Sequence, residues 1–210
     1  MSVLQKLQWR YATKQFDANK RLSESQITLL KDAFNLTATS YGLQTLSLVV
    51  VGDNPELRSQ LRVHAYEQPQ ITEASHVLVI CIQDDITDHD IDLHFENVKD
   101  IRNTPEAVLS PFRTRLKDMM KGMSKQERQQ WSKHQAYITL GNLMTVCAVE
   151  GIDACPMEGF EPETFDKLLN LSRYNLKSVL LLPVGFRSEH DPFASMKKVR
   201  KSLKNTIIEL

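Results

Sequence analysis

Three short apolar runs, each separated from the next by helical patterns, constrain the fold of this chain most. They occupy residues 46–51, 77–82 and 178–184 and consist largely of valine, leucine and isoleucine. Runs of this length and composition are typical of buried β-strands. Since helical segments separate these strands and outweigh them, the sequence favours a mixed α and β sandwich in general terms.

Capping signals mark the ends of two predicted helices. Ser23 with Gln26 has the spacing of a capping box and predicts a helix over residues 23–36. A second box, at Ser124, predicts a long core helix that closes near Gly151.

Two prolines that follow turn-type residues, Pro55 and Pro105, predict further helix starts. On the long helix, Trp131 and Tyr137 recur near helical spacing. This spacing favours core positions over a platform for a cofactor.

The composition indicates one domain over residues 1–210, with a polar C-terminal arm at about 186–210 that has little core pattern of its own. At 41% hydrophobic residues, the chain can bury one substantial core. Its 26 basic and 26 acidic residues cancel. No overall field therefore attracts nucleic acid or an anionic membrane, and we expect neither as a partner.

The expected location is the cytoplasm. No stretch approaches the roughly 18 apolar residues of a membrane span, and the first residues lack the apolar core of a signal peptide. Cys81, Cys147 and Cys155 form no Cys-x-x-Cys pair. An odd number of such cysteines favours a reducing compartment over a disulfide framework.

Two cationic pairs lie at opposite ends of the chain. Arg10 and Lys14 follow a short apolar helix, and Lys198 and Arg200 lie near the C-terminus. Each pair alone is typical of a solvated surface. Together they indicate a site for an anion. The seven glycines form no Gly-x-Gly-x-x-Gly or Walker loop, which argues against a dinucleotide-binding Rossmann half.

Two other clusters have simpler interpretations. The acidic stretch at 84–96 contains His89 and His94 but no His-x-x-x-His pair or cysteine, which favours a solvated helix face over a metal site. The basic residues at 197–204 resemble a nucleic-acid patch, but interleaved aromatic residues are missing. We therefore expect no metal.

The chain resembles the FMN-dependent nitroreductase and flavin reductase family in the order of three segments. These are the first cationic pair, residues 153–160 and the second cationic pair. The resemblance covers nearly the whole chain. No single motif is diagnostic of the family, but the set of motifs in this order is. The matching segments are residues 10–17, 40–51, 74–76, 135–142, 156–159 and 198–200.

The resemblance implies a three-layer α+β sandwich with a central, mostly antiparallel sheet. It also implies an intertwined homodimer whose C-terminal arm embraces the partner. The implied cofactor is FMN, with NADPH or NADH as electron donor; the sequence does not choose between them. Hydride would enter and leave at flavin N5 in a ping-pong reaction with a nitroaromatic, a quinone or a similar acceptor. Because the flavin carries the reactivity, no catalytic side chain is expected.

The same resemblance implies the residues that contact the cofactor. The phosphate would be held by Arg10, Lys198 and Arg200, while Lys14 would reach the ribityl chain and the N1/O2 edge. A cation at that edge stabilises the anionic reduced flavin. The implied cofactor-binding set is Arg10, Tyr11, Ala12, Lys14, Thr39, Ser40, Gly42, Glu67, Gln70, Pro156, Glu158, Gly159, Lys198 and Arg200.

Two positions depart from the family pattern and leave alternatives open. Gly42 and Glu67 stand where many members carry asparagine. An ionised Glu67 can accept a hydrogen bond from flavin N3 but cannot donate one. Either Glu67 or a neighbour, Gln68 or Gln70, therefore meets the pyrimidine edge. The alternative function is a flavin-binding protein without meaningful turnover, and behind it a nucleic-acid binder with a basic tail.

Overall fold

The strands of the computed structural model, which describes all 210 residues, form one antiparallel sheet. They are β1 (Leu46–Val51), β2 (His76–Gln83), β3 (Asp153–Ala154) and β4 (Leu176–Gly185), in the spatial order β1-β2-β4-β3. The pairing of β2 with β4 shifts register between Ile80 and Cys81, where an irregularity increases the local twist. The three predicted strands are thus confirmed.

Eight α-helices accompany the sheet. They are α1 (Val3–Trp9), α2 (Glu24–Asn35), α3 (Pro55–Val63), α4 (Gln70–Glu73), α5 (Asp88–Arg102), α6 (Glu106–Lys121), α7 (Lys125–Glu150) and α8 (Pro162–Leu168). Short 3-10 turns lie at Ser40–Gly42, Leu171–Tyr174, Pro192–Ser195 and Leu203–Asn205. None of these helices combines the length and apolar character needed to cross a membrane.

Alternate residues of β2 face two separate cores, because side chains on a strand point to opposite faces. Val77 and Val79 pack into a core formed with α3, α4 and α8. Leu78 and Ile80 pack into a second core, formed with α2 and α7. The predicted three-layer sandwich is therefore confirmed. A third, smaller core lies within the hairpin of α5 and α6.

The capping signals predicted the helix boundaries. Helix α2 begins after Ser23, whose side chain completes a capping box with Gln26. Helix α7 begins after Ser124 in the same way and closes at Gly151, whose φ of 70° lies in the left-handed region that favours glycine. Pro55 opens α3, and Pro105 is the N-cap residue of α6.

Two sequence-based interpretations need correction. Tyr137 is not a core residue, since it is 47% exposed; its phenol donates to Glu158 at the surface instead. Trp131 packs partly buried against the third core. Strand β3 was not predicted, because two residues are too short to give an apolar run.

The arm after β4, residues 186–210, contains only short turns. Its large apolar side chains are exposed: Phe193, Met196, Val199, Leu203, Ile207, Ile208 and Leu210. The arm therefore packs little of its own surface within one chain.

The central position of β2 gives a test of the two-core architecture. Ile80 is fully buried, so we expect Ile80→Ala to lower the free energy of unfolding by about 2–5 kcal/mol through lost burial and a cavity. Ile101→Ala, at a position that is 81% exposed, should change it by less than about 0.5 kcal/mol. Urea titration followed by circular dichroism measures both; equal effects would contradict the placement of β2.

Candidate functional site

A cavity of about 660 Å³ lies between the end of α1, the C-terminal part of α7 and the C-terminal arm. The chain segments that form it come from residues 8–14 and 193–200, with Met144, Pro156 and Arg187 between them. Seven of the predicted cofactor-binding residues line it: Arg10, Tyr11, Ala12, Lys14, Pro156, Lys198 and Arg200. Both cationic pairs therefore meet in one cavity, although the whole fold separates them in sequence.

Of the cations that line this cavity, only Arg187 pairs with a carboxylate. None of Arg10, Lys198 and Arg200 takes part in an ion pair. Burial, and then the neighbouring Arg200, lowers the pKa of Arg10. The Lys198 ammonium donates to the Arg10 carbonyl, and its pKa is lowered by burial and by both arginines. Positive charges that lie close together without a counter-charge repel one another. A bound anion would relieve this repulsion and accept charge-assisted hydrogen bonds.

Asp191 attaches the loop that follows α1, residues 10–15, to the arm. Its side chain is 4% exposed. Oδ2 accepts hydrogen bonds from the Tyr11 phenol at 2.9 Å and from the backbone N–H groups of Lys14 at 2.8 Å and Gln15 at 3.2 Å. Oδ1 accepts from the Phe193 N–H at 2.9 Å. One carboxylate thus holds both walls of the cavity.

Arg187 forms a second attachment beside the first. Its guanidinium lies 4.2 Å from the centroid of the Trp9 ring and 4.6 Å from that of Tyr11. It also pairs with the buried carboxylate of Asp153, with a nitrogen–oxygen distance of 2.6 Å. Since Asp153 begins β3, this contact fixes the loop to the edge of the sheet. The single parallel bridge between Ala12 and Ala154 has the same effect.

Gly159 belongs to a second group of predicted residues, which follows Pro156 along the chain. The Gln68 side chain donates to the Gly159 carbonyl at 2.8 Å, which joins residues 66–68 to this segment. A Cβ on Gly159 would lie 3.3 Å from Gln68 Nε2. The glycine therefore permits the close approach of this turn, a packing reason that the sequence did not reveal.

Gln70 is buried beside the same segment, while Glu67 is not. The Gln70 amide nitrogen faces Cys155 Sγ at 3.9 Å, and its Oε1 has no hydrogen-bond partner although it is buried. The Glu67 side chain is 66% exposed and pairs with Arg62. Neither residue lines the cavity, and Gln70 is the one of the two with a buried polar atom that lacks a partner.

Helix α4, which carries Gln70, is held by a buried arginine. Arg58 is 3% exposed and donates to the backbone carbonyls of Ile71, Ala74 and Ser75. Burial lowers its pKa to about 10. These bonds satisfy carbonyls at the C-terminal end of a helix that is only one turn long.

Thr39, Ser40 and Gly42 lie elsewhere on the chain. None of them lines the cavity; the Ser40 N–H donates instead to the buried Gln135 side chain at 2.9 Å. Gln135 precedes Met144, which lines the cavity, by nine residues on α7, or about 14 Å of axial rise. One chain does not bring this group to the cationic site.

The acidic stretch forms ion pairs between elements. Asp85 pairs with Arg128 at 2.7 Å, and Asp84 pairs with Lys125 at 2.6 Å. These contacts tie the end of β2 to the start of α7. No group of three His, Cys, Asp or Glu side chains is arranged to hold a metal ion.

Comparisons with known proteins agree with this geometry. The model of the Nitroreductase family matches residues 7–186. YfkO of Bacillus subtilis, whose name assigns it to the NAD(P)H nitroreductases, is 32% identical over 174 residues, covering 80% of this chain and 78% of YfkO. A Staphylococcus aureus protein with the same kind of name is 29% identical over 98% of this chain and 94% of its own. The chain therefore belongs to the nitroreductase family.

Solved structures show the same fold. The nitroreductase ydfN of Bacillus subtilis superposes with a TM-score of 0.88 at 16% identity, covering 99% of this chain and 98% of ydfN. A nitroreductase of Exiguobacterium sibiricum, solved in complex with FMN, superposes with a TM-score of 0.84 at 17% identity, covering 100% of this chain and 98% of that one.

Sequence reasoning missed the residues that hold the site together. Trp9, Arg187 and Asp191 pack or bond around the loop. The only signal for Asp191 is its place between Ser188 and Pro192, which is typical of a turn. Nothing in the sequence connects it to Tyr11, 180 positions away.

The hydrogen bonds to Asp191 predict an acid dependence. Burial raises its pKa, but the N–H groups of Phe193, Lys14 and Gln15 and the Tyr11 phenol outweigh burial and lower it overall. A carboxyl with a lowered folded pKa contributes stability above its unfolded pKa of about 4 and loses it as the pH falls through the folded value. The wild-type advantage over Asp191→Asn in free energy of unfolding should be constant near neutrality and shrink below about pH 4. Urea titrations across pH measure this; an advantage that grows in acid would contradict it.

Proposed function

We propose that the protein is an FMN-dependent NAD(P)H oxidoreductase that acts as a homodimer and reduces nitroaromatics, quinones or similar electron-poor acceptors. The observation that carries this proposal is the unneutralised group of Arg10, Lys198 and Arg200 in one cavity. A terminal phosphate dianion suits such a group, because charge-assisted hydrogen bonds are the strong ones. The name of YfkO and the FMN of the Exiguobacterium structure support the same donor and cofactor.

The remaining residues fit a flavin as well. Gln70 offers a buried Oε1 without a partner, an acceptor that suits the N–H of a flavin pyrimidine edge. We therefore assign that contact to Gln70 and not to Glu67, whose carboxylate pairs with Arg62. Pro156 lines the cavity, so the backbone that continues to Gly159 is available beside the ring system.

The chain's own residues bind and orient in this proposal. When bound, FMN would supply hydride exchange at N5, between NAD(P)H and the acceptor in ping-pong order. Lys14 has no ion pair, and its Nζ lies 6.0 Å from the centroid of the Phe193 ring at the cavity wall. Its free positive charge favours the reduced flavin. No side chain is assigned as nucleophile or general base.

The homodimer is proposed from two features of the single chain. Thr39, Ser40 and Gly42 do not line the cationic cavity, and Ser40 bonds to Gln135 of α7 instead. Seven large apolar side chains of the arm are exposed. Both features are explained if the arm covers a second copy and residues 39–42 complete the partner's site.

The function is tested by the absorbance of the purified protein under anaerobic conditions. We expect a bound flavin spectrum that NADPH or NADH bleaches and that a nitroaromatic or quinone restores. Bound FMN that neither nicotinamide bleaches would favour a flavin carrier without turnover. A protein that binds no flavin would contradict both functions.

Removing one phosphate ligand should weaken FMN binding without affecting the fold. Arg200→Ala should raise the Kd for FMN about ten- to a hundredfold, since a hydrogen bond to a charged group contributes roughly 1.5–3 kcal/mol. Lys201→Ala removes an adjacent exposed cation that does not line the cavity and should have little effect. Quenching of flavin fluorescence measures both; equal weakening would show a diffuse charge effect.

The charge of Lys14 should affect the flavin redox potential. Lys14→Met, if it keeps its FMN, should have a midpoint potential more negative by some tens of millivolts, because a cation near N1/O2 stabilises the anionic reduced form. Lys20→Met, whose lysine pairs with Asp17 outside the cavity, is the control. An unchanged potential in flavin-saturated Lys14→Met would withdraw the redox role.

The arm should hold the dimer together independently of its cations. We expect wild-type protein to sediment as a dimer and Leu203→Ser with Ile208→Ser, two exposed apolar positions of the arm, to dissociate at least tenfold more readily. This double variant keeps Lys198 and Arg200. A wild-type monomer that still binds FMN in analytical ultracentrifugation would contradict the shared site.

A further inference from the structure

Asp191 lies at the junction of the two segments that carry the cationic residues. It is 4% exposed, and it belongs neither to the cavity lining nor to the predicted cofactor-binding set. A buried carboxylate close to a proposed phosphate site is costly, because it repels the ligand unless its charge is used elsewhere. Its position therefore needs a reason.

The negative charge of Asp191 is stabilised by the hydrogen-bond donors around it. Three of its four hydrogen bonds come from the loop, from Tyr11, Lys14 and Gln15, and the fourth comes from Phe193 on the arm. These donors are backbone N–H groups and a phenol, all of them neutral. A buried carboxylate accepting several such bonds is well satisfied.

Asp191 also makes no ion pair with any lysine or arginine. It therefore joins loop and arm without neutralising Arg10, Lys198 or Arg200. A salt bridge in this place would have attached the same segments but consumed a cation. The arrangement keeps the full positive charge for a ligand.

We infer that Asp191 is a positioning residue, which builds the phosphate site by docking the C-terminal arm onto the loop that carries Arg10 and Lys14. The phosphate site then exists only while the arm is docked, and a bound phosphate in turn holds the arm. This inference rests on the proposed function for the identity of the ligand. The docking of the arm itself does not depend on it.

The test compares Asp191→Asn with Glu189→Gln, a charge-matched control at a fully solvated arm position. In the asparagine variant one oxygen becomes an amino group, which cannot accept from the Phe193 or loop N–H groups. Affinities for FMN and for riboflavin, which lacks the phosphate, are measured by fluorescence quenching. We expect Asp191→Asn to weaken FMN at least tenfold and riboflavin no more than about twofold, with Glu189→Gln like wild type.

Docking of the arm is read separately by limited trypsin digestion of flavin-free protein. Beyond Asp191 the arm carries five trypsin sites, at Lys197, Lys198, Arg200, Lys201 and Lys204. Asp191→Asn should be cleaved there at least fivefold faster than wild type, and added FMN should slow the cleavage of wild type more than that of the variant. If Asp191→Asn does not fold, Tyr11→Phe removes a single donor and should shift both readouts in the same direction.

The outcomes separate this inference from the proposed function. Equal losses for FMN and riboflavin, or unchanged FMN affinity with unchanged cleavage, would overturn the positioning role. If the protein binds no flavin and the variant is still cleaved faster, Asp191 docks the arm but the flavin site is refuted.

Discussion

The gathering of Arg10, Lys198 and Arg200 without a carboxylate is the constraint on which the rest of the site depends. Like charges repel, so a fold brings them together only if other contacts hold their segments in place. Here those contacts are the hydrogen bonds of Asp191 and the stacking of Arg187 on Trp9. They fix the backbone and leave Arg10, Lys198 and Arg200 without an acidic partner. The positive charge is thus available to a ligand.

The sandwich provides the fixed frame for that arrangement. β2 is paired on both sides and buried in both cores, which makes the centre of the sheet rigid. The site lies at the β3 edge, where Asp153 anchors Arg187 and where α7 presents Met144 to the cavity.

The sequence predicted those features that short-range physics decides. Apolar runs predicted the strands, and capping boxes at Ser23 and Ser124 predicted the helix starts. The pairs of cations were visible because both cations of each pair lie close in sequence, and all four line one cavity. The anion bound there stays a prediction. Asp191 could not be predicted, since its donors Tyr11, Lys14 and Gln15 lie 180, 177 and 176 positions away. Tyr137 was misplaced because helical spacing does not distinguish a core position from one that bonds outward to Glu158.

The most direct measurement of the central claim is a crystal structure of the protein grown with FMN. The account predicts phosphate density within about 3 Å of guanidinium nitrogens of Arg10 and Arg200 and of the Lys198 ammonium, with the Asp191 hydrogen bonds intact. It also predicts that residues 39–42 of a second copy contact the same flavin. A phosphate bound elsewhere, or an arm displaced from the loop while FMN is bound, would contradict it.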